Sequence, residues 1–184
     1  DKYDLRWAQS DQEVHDAFKV LREGEDFEGL DIETTGLSLI ANEIVGVTIC
    51  PNTTISYYFP IAHLYEKNVN LDVFLQEFRE LCKLKKFVGH NLPFDWGFIS
   101  YKWGIDFEIG GDSQVSAYIC DQNRAESGRL GLKHLMGEIF NTPPLELTED
   151  LGLTDFSLVQ KDDALLYAAP DSIHSLMLYK HFKP

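Results

Sequence analysis

The sequence predicts an α/β fold in which helices flank a mixed sheet. Three runs rich in β-branched and aromatic residues follow one another in the first third of the chain, with turn residues between them, and they predict three consecutive strands. Later segments repeat apolar residues every three or four positions, as helices do when they pack one face against a core. The chain has 184 residues, so we expect residues 1–184 to form a single domain.

Local signals predict the individual elements. Ser10 and Glu13 have the spacing of a capping box, which predicts a first helix over about residues 11–22. Three strands are expected at 27–33, 43–50 and 54–61, followed by a short buried strand at 87–89. Further helices are expected at 71–82, from Asn91 to Trp103, from Asp112 or Ser113 to Cys120, at 130–140, and from Asp162 onward with a break at Pro170. Residues 141–160 predict an irregular loop.

The charge and the cysteines exclude some classes of protein. With 30 acidic and 16 basic residues, the formal net charge is -14, which disfavours a broad electrostatic grip on duplex nucleic acid but not a local site built around metal ions. Three cysteines without a C-x-x-C pair support neither a disulfide framework nor a zinc site. We therefore expect an intracellular location, in the cytoplasm or nucleoid, with an organelle or a host cell as open alternatives. No apolar run reaches the roughly 18 residues of a membrane span, so no membrane partner is expected.

The first candidate site lies at the end of the first predicted strand. Asp31 and Glu33 are two residues apart, so both side chains point to the same face of a strand. Acidic residues are disfavoured in strands, which suggests a functional reason for the pair. Taken alone, the pair is more typical of a solvated edge strand, and that alternative stays open at this point.

Two further pairs have helical spacing. Asn91 and Asp95 are four residues apart near the start of a predicted helix, where a plain helix cap and an acid stabilised by the helix dipole are the structural alternatives. Tyr167 and Asp171 are also four apart, and the two alanines between them allow another element to approach closely. A core tyrosine and an acid near a helix start are the alternatives there.

In combination the three pairs are specific. Asp-x-Glu followed by Thr-Thr-Gly-Leu, then Asn-x-x-x-Asp, then Tyr-x-x-x-Asp, resembles the three motifs of the DEDD superfamily of 3′–5′ exonucleases, in its tyrosine branch. Residues 31–37, 88–95 and 167–171, together with Leu-Lys-His-Leu at 132–135, most resemble the proofreading domain of family A DNA polymerases, the polymerase I type. Pro170 departs from the usual third motif. The resemblance covers roughly residues 3–182 and implies a ribonuclease-H-like fold.

The resemblance also implies a mechanism. Asp31, Glu33, Asp95 and Asp171 would be catalytic carboxylates that bind two divalent cations, Mg²⁺ or Mn²⁺, because hard oxygen ligands without His or Cys select such ions. Tyr167 would orient the attacking water, since a reference pKa near 10 makes a tyrosine a poor general base at neutral pH. By the same resemblance, a set of three residues would contact the last nucleotides of the substrate: Thr34, Leu37 and Asn91.

The function predicted from these residues is a metal-dependent 3′–5′ exonuclease that releases nucleoside 5′-monophosphates from single-stranded or frayed DNA 3′ ends. The resemblance implies a polymerase domain, in the same or another chain, as a partner. An exoribonuclease of the ribonuclease D type would use the same ligands, and a non-catalytic scaffold could keep the fold. Motif one favours DNA, because Thr-Thr-Gly-Leu is more typical of polymerase proofreaders.

Overall fold

The computed structural model describes residues 2–143, 145, 152 and 154–183. Six strands of this part of the chain form one mixed sheet in the order β1-β4-β3-β2-β5-β6. β2, β3 and β4 form the expected antiparallel meander, whereas β1, β5 and β6 join it through parallel pairs. The strands are β1 (Asp4–Trp7), β2 (Phe27–Thr34), β3 (Ile44–Cys50), β4 (Ile55–Pro60), β5 (Lys86–Gly89) and β6 (Glu108–Asp112).

Helices cover both faces of the sheet, which confirms the predicted α/β class. They are α1 (Asp11–Glu23), α2 (Leu71–Leu84), α3 (Leu92–Trp103), α4 (Ser113–Cys120), α5 (Asn123–Glu126), α6 (Leu132–Phe140), a 3₁₀ helix (Phe156–Leu158), α7 (Lys161–Tyr167) and α8 (Ala169–Phe182). Across the described ranges, none of these helices combines the length and the apolar character needed to cross a membrane. Of the loop expected at 141–160, residues 144, 146–151 and 153 lie outside the described residues.

Two strands and one short α-helix were not predicted from the sequence. β1 is a four-residue edge strand that contains an acid and an arginine, and α5 is a single turn. β6 contains Gly110 and Gly111, residues that strands usually avoid. A Cβ added at Gly111 would lie 2.2 Å from the ring of Tyr179, and one at Gly110 would lie 2.5 Å from the ring of Phe27. Tertiary packing therefore decides this strand, because the aromatic rings take the space that side chains would fill.

Two apolar layers sandwich the sheet. On one face α1, α2 and α3 form the main core, in which Phe18, Phe74 and Phe98 are fully buried. On the other face α7 and α8 pack over β1, β3 and β4, with Tyr58 and Ala169 in the contact. α4 and α6 then pack against the outer part of α8. Because α8 lies directly on the strands, its first turn is held at a fixed depth above the sheet.

A buried hydroxyl network fastens α8 to the sheet. Thr48 on β3, Ser56 on β4 and Ser172 on α8 bond to one another through their hydroxyl oxygens at 2.7–3.0 Å. At Gly29 on β2, an added Cβ would lie only 2.3 Å from the carbonyl oxygen of Ser172 and 2.4 Å from the sulfur of Cys50. The helix and β2 therefore approach so closely that only glycine fits between them.

Gly29→Ala should destabilise the protein and displace α8. The new methyl group would overlap backbone, and overpacking of this kind costs about 1–3 kcal/mol or more. We expect a lower midpoint of thermal unfolding, measured by circular dichroism. Gly97→Ala is the matched control, since Gly97 lies within α3 and an added Cβ there meets nothing closer than 3.8 Å. A helical Gly-to-Ala change should be neutral or stabilising. Equal midpoints for the two variants would contradict the close approach of α8 to β2.

Candidate active site

Strand β2 presents two of the predicted carboxylates on one face of the sheet. Ile32 points into the main core and is 6% exposed, whereas Asp31 and Glu33 on either side of it are half-buried on the face that α8 covers. The pairing with β3 shifts register between Glu33 and Thr34, as at a β-bulge. The alternation of a strand therefore places both acids on one face, as the spacing predicted, and α8 covers that face.

The junction between α7 and α8 supplies the third motif. Tyr167 ends α7 and Asp171 lies in the first turn of α8, and the helix is interrupted between them at Ala168. Pro170 occupies the first turn of α8, where a missing N–H costs no helical hydrogen bond. The helix therefore tolerates the residue that departs from the usual motif. Both Tyr167 and Asp171 are buried, at 9% and 8% exposure.

These elements bring three of the predicted carboxylates together. Ligand oxygens of Asp31, Glu33 and Asp171 all lie within 4.8 Å of one another. Two come from β2 and one from α8, so the cluster exists only because the helix is pinned to the sheet. Such an arrangement of oxygens, with no nitrogen or sulfur ligand in the set, has the chemistry of a Mg²⁺ or Mn²⁺ site.

Asp95 lies beside this cluster rather than in it. It sits in the first turn of α3, is 3% exposed, and its Oδ1 accepts a hydrogen bond from the backbone N–H of Ile32 at 2.8 Å. The bond ties α3 to β2 between the two strand acids. One oxygen of Asp95 is thereby committed to the protein, which leaves the second carboxylate oxygen for a ligand.

Burial and mutual repulsion raise the pKa values of these acids. Burial, with a contribution from the charge of Asp171, raises the pKa of Glu33 to about 8. Burial also raises the pKa of Asp95 to about 8, against the stabilising bond from Ile32. The pKa of Asp31 lies well above its usual value, first through burial and then through the three neighbouring carboxylates. Without a cation, the cluster is therefore not fully ionised at neutral pH.

Sequence reasoning did not identify Lys133 as part of the site. Its ammonium group donates to Oδ1 of Asp171 and, at 3.1 Å, to the backbone carbonyl of Tyr167. Burial would lower the pKa of Lys133, but the charges of Asp171, Glu33 and Asp31 outweigh this effect and raise it. The ammonium group of Lys133 thus bonds to both ends of the third motif, at Tyr167 and at Asp171. The Leu-Lys-x-Leu resemblance at 132–135 was the available signal.

The three predicted substrate contacts differ in exposure and local bonding. Thr34 is half-buried, and its hydroxyl donates to the carbonyl of Gly36 at 2.7 Å. Leu37 is 84% exposed in the loop that follows β2. Asn91 precedes α3 in the left-handed conformation, with φ of 59°, and its exposed side chain makes no capping bond. The plain-cap alternative for Asn91 is therefore wrong.

The start of α3 depends instead on Asp112, a residue that the sequence predicts only as a cap of α4. Its carboxylate accepts the backbone N–H groups of Asn91 and Leu92 at 3.1 and 2.8 Å, and it also caps α4 through Gln114 at 2.9 Å. His90 adds a second brace, since its ring bonds to the hydroxyl of Ser113 at 2.8 Å. Asp112 and His90 thereby position the second motif without lying in the cluster.

Solved structures with the same fold include known nucleases. NrnC of Brucella melitensis with bound Mg²⁺ aligns over 100% of this chain and 81% of its own, with a TM-score of 0.67 and 18% identity. RNase D of Trypanosoma brucei in complex with RNA U12 aligns over 99% of this chain and 63% of its own, with a TM-score of 0.73 and 20% identity. RNase D of Escherichia coli aligns over 98% and 44%, with a TM-score of 0.73 and 13% identity. At these identities the likeness shows the fold.

The sequence itself supplies the family. Curated protein sequences give no significant match. The profile of the DNA polymerase A-type 3'-5' exonuclease family (DNA_pol_A_exo1), however, matches residues 5–184, nearly the whole chain. That match agrees with the carboxylate cluster on β2 and α8 and with the DEDD motifs that supply it. The chain belongs to this 3'-5' exonuclease family, within the DEDD superfamily.

Proposed function

We propose that the chain is a two-metal-ion exonuclease that hydrolyses single-stranded or frayed DNA from the 3′ end and releases nucleoside 5′-monophosphates. The observation that carries the proposal is the convergence of Asp31, Glu33 and Asp171, whose oxygens lie within 4.8 Å of one another. Like charges so close together need a compensating cation. We further propose that residues 1–184 act as one exonuclease domain.

The donor set fits a pair of hard divalent cations. Asp31, Glu33 and Asp171 would hold one ion, and Asp31 and Asp95 the other. When bound, two such ions lower the pKa of a water molecule and stabilise negative charge on the scissile phosphate. They would also supply, at that phosphate alone, the positive charge that a protein of net charge -14 lacks.

The side chains around the ions would act on water and on substrate. The hydroxyl of Tyr167 would orient the attacking water, together with the carboxylate of Glu33. Lys133 would keep Asp171 and the backbone of Tyr167 in place through its two hydrogen bonds. The last nucleotides would meet the backbone of Thr34, the exposed side chain of Leu37 and the amide of Asn91.

The most specific part of the proposal is the choice of DNA rather than RNA as the substrate. The match to the polymerase A-type exonuclease family and the Thr-Thr-Gly-Leu sequence of motif one favour DNA. Ribonuclease activity is the second candidate, because the solved relatives of like fold include RNase D bound to RNA U12 and NrnC bound to pGG. For a DNA-directed enzyme we propose proofreading or end-trimming within the cell beside a polymerase domain, in DNA replication or repair.

The deciding experiment compares 5′-labelled single strands of DNA and RNA with the same sequence, with Mg²⁺, with Mn²⁺ and with excess chelator. We expect a ladder of products shortened from the 3′ end, faster on DNA, and none in chelator. Faster digestion of RNA would favour the second candidate. Full activity in chelator would contradict a metal-dependent site. A scaffold without activity should also bind no divalent ions in calorimetry.

Single strands should be digested faster than blunt duplexes of the same sequence. A surface of net charge -14 cannot neutralise many duplex phosphates, and unpairing the end of a duplex costs a few kcal/mol. Cleavage of the duplex should also decline steeply as the salt concentration rises. A side-by-side time course on labelled oligonucleotides measures both effects. Equal rates on the two substrates would mean that the chain opens duplex ends by itself.

Asp31→Asn should remove nearly all activity while the protein stays folded. The change keeps the shape and removes one charge from the cluster, so the metal-free variant should unfold at a higher temperature than the parent. That gain should increase as the pH rises through about 8 and then level off, because Glu33 and Asp95 ionise over this range and add to the repulsion. Asp16→Asn, an exposed position on α1, is the control. Retention of more than about a tenth of the rate, a barrier change below about 1.4 kcal/mol, would argue against Asp31 as a ligand.

Tyr167→Phe should slow the chemical step by about 10- to 1000-fold and leave metal binding intact. The ring and its packing remain, and only the hydroxyl that positions water in the transition state is lost. Single-turnover kinetics separate this effect from product release. Tyr179→Phe, which removes a hydroxyl bonded to the carbonyl of Gly110 farther along α8, should keep the parental rate. Equal rates for the parent and the Tyr167 variant would assign this tyrosine to the core.

A further inference from the structure

Two loops of the protein carry most of the most highly exposed large apolar side chains. Among the described residues, four of the five most exposed belong to two loops: Leu37 (84%), Ile40 (79%), Tyr65 (70%) and Leu64 (64%). The first two follow β2 and the last two follow β4. Exposed apolar side chains that gather in one region, rather than lying scattered singly, mark binding surfaces.

The sheet register places both loops beside the carboxylate cluster. Glu33 on β2 pairs with Gly46 on β3, and Gly46 pairs with Pro60 at the end of β4. Neighbouring strands are about 4.8 Å apart, so the second loop begins about 10 Å from the backbone of Glu33, at the same end of the strands. We refer to residues 61–68 as the platform loop.

The platform loop is closed on itself by hydrogen bonds. The backbone N–H of Val69 donates to the carbonyl of Pro60 at 2.8 Å and closes the base of the loop. The side chain of Asn68 then bridges the loop, since it accepts the N–H of His63 at 2.8 Å and donates to the carbonyl of the same residue at 3.0 Å. The path of the backbone is therefore fixed without help from Leu64 or Tyr65.

The same loop is anchored to the segment that leads into α7. Leu64 donates its N–H to the carbonyl of Ser157 at 2.9 Å, and Glu66 accepts the N–H of Lys161 at 2.9 Å. Below them His63, which is 3% exposed, donates through Nδ1 to the carbonyl of Val159 at 2.8 Å. The loop is thus rigid before any ligand arrives, which lowers the entropic cost of binding.

The side chains that this rigid loop displays suit a single-stranded nucleic acid. Tyr65 offers an open ring face, and Leu64 offers apolar surface next to it. Lys67 is exposed and forms no ion pair with any described residue, in a protein of net charge -14. Proteins bind single strands through this combination, in which bases stack on aromatic rings and cations attract the backbone phosphates.

We propose that the platform loop is a binding site for the substrate strand, in which Tyr65 stacks on one of the last three nucleobases at the 3′ end and Lys67 attracts an adjacent phosphate. The proposal rests on the proposed function, because the strand must reach the carboxylate cluster. It adds a base-binding contact on the β4 side of the cluster, separate from the predicted substrate contacts Thr34, Leu37 and Asn91.

Binding of a fluorescein-labelled single-stranded DNA decamer, followed by fluorescence anisotropy with Mg²⁺ present, tests the platform. Every variant carries Asp31→Asn so that the strand stays intact. Tyr65→Ala should weaken binding by roughly 10-fold, the loss of one base–aromatic stack, and Tyr65→Phe should restore it. Lys67→Ala should weaken binding and reduce the slope of log K against log salt by somewhat less than one. Tyr118→Ala is the matched control, because Tyr118 is an exposed tyrosine near the end of α4. That end of α4 lies beside the C-terminal end of α8, far from Asp171.

A second arm removes the base, rather than the tyrosine, at each of the last three positions in turn. An abasic nucleotide at the stacked position should weaken binding of the parent and leave Tyr65→Ala unaffected, whereas the other positions should affect both proteins equally. If Tyr65→Ala and Lys67→Ala bind as Tyr118→Ala does, or if no abasic position couples to Tyr65, the platform is wrong.

Digestion of the same decamer by the chain without the Asp31 change separates this proposal from the proposed function. Cleavage without dependence on Tyr65 would overturn the platform and leave the exonuclease assignment standing. Binding that depends on Tyr65 without cleavage would keep the platform and overturn the proposed catalytic function. Failure of the Asp31→Asn protein to bind the strand, together with failure of the parental protein to cleave it, would overturn both.

Discussion

Three carboxylates within 4.8 Å of one another repel, and the structure around them exists to hold them there. At an effective dielectric constant of about 20, each fully ionised pair at that distance costs on the order of 3 kcal/mol. The protein limits this cost in two ways. First, burial raises the pKa of Glu33 to about 8, so this carboxyl group is largely protonated at neutral pH when no cation is bound. In addition, the ammonium group of Lys133 lies against Asp171.

The repulsion explains why so much of the packing is directed at α8. That helix must carry Asp171 to the two acids on β2, and its first turn therefore has to lie almost on the strands. Gly29 removes the side chain that would keep them apart, and the hydroxyl groups of Thr48, Ser56 and Ser172 bond across the contact. The rest of α8 is buried under α4 and α6, so the burial of apolar surface along the helix offsets the local electrostatic cost.

The negative charge of the protein limits how it can bind a nucleic acid substrate. A chain of net charge -14 has little general attraction for nucleic acid, so affinity has to arise at the cluster and at a few contacts around it. Exposed apolar residues in the loops at the same end of the strands, such as Leu37 and Tyr65, can stack on unpaired bases but not on paired ones. This physical arrangement favours strand ends that are already single-stranded.

Much of the fold was predictable because the signals were local. The capping box at Ser10 is encoded within a few residues and appears as expected. Helix α3 likewise ends at Trp103 as expected, and the left-handed Gly104 follows it. Helix α6, by contrast, begins at Leu132 rather than near residue 130. Strand β6 was missed because its glycines oppose strand formation, and only the rings of Phe27 and Tyr179 make them necessary.

The sequence by itself determined which side chains could do the chemistry and on which face of their own element each would lie, because the periods of strands and helices are local properties. Tertiary structure alone decided which of them meet. It brought Asp171 to Asp31 and Glu33, committed one oxygen of Asp95 to the N–H of Ile32, and added Lys133 from a distant helix. Those distances depend on how closely α3, α6 and α8 approach β2, and that approach is set by packing between residues as far apart in the chain as Gly29 and Ser172.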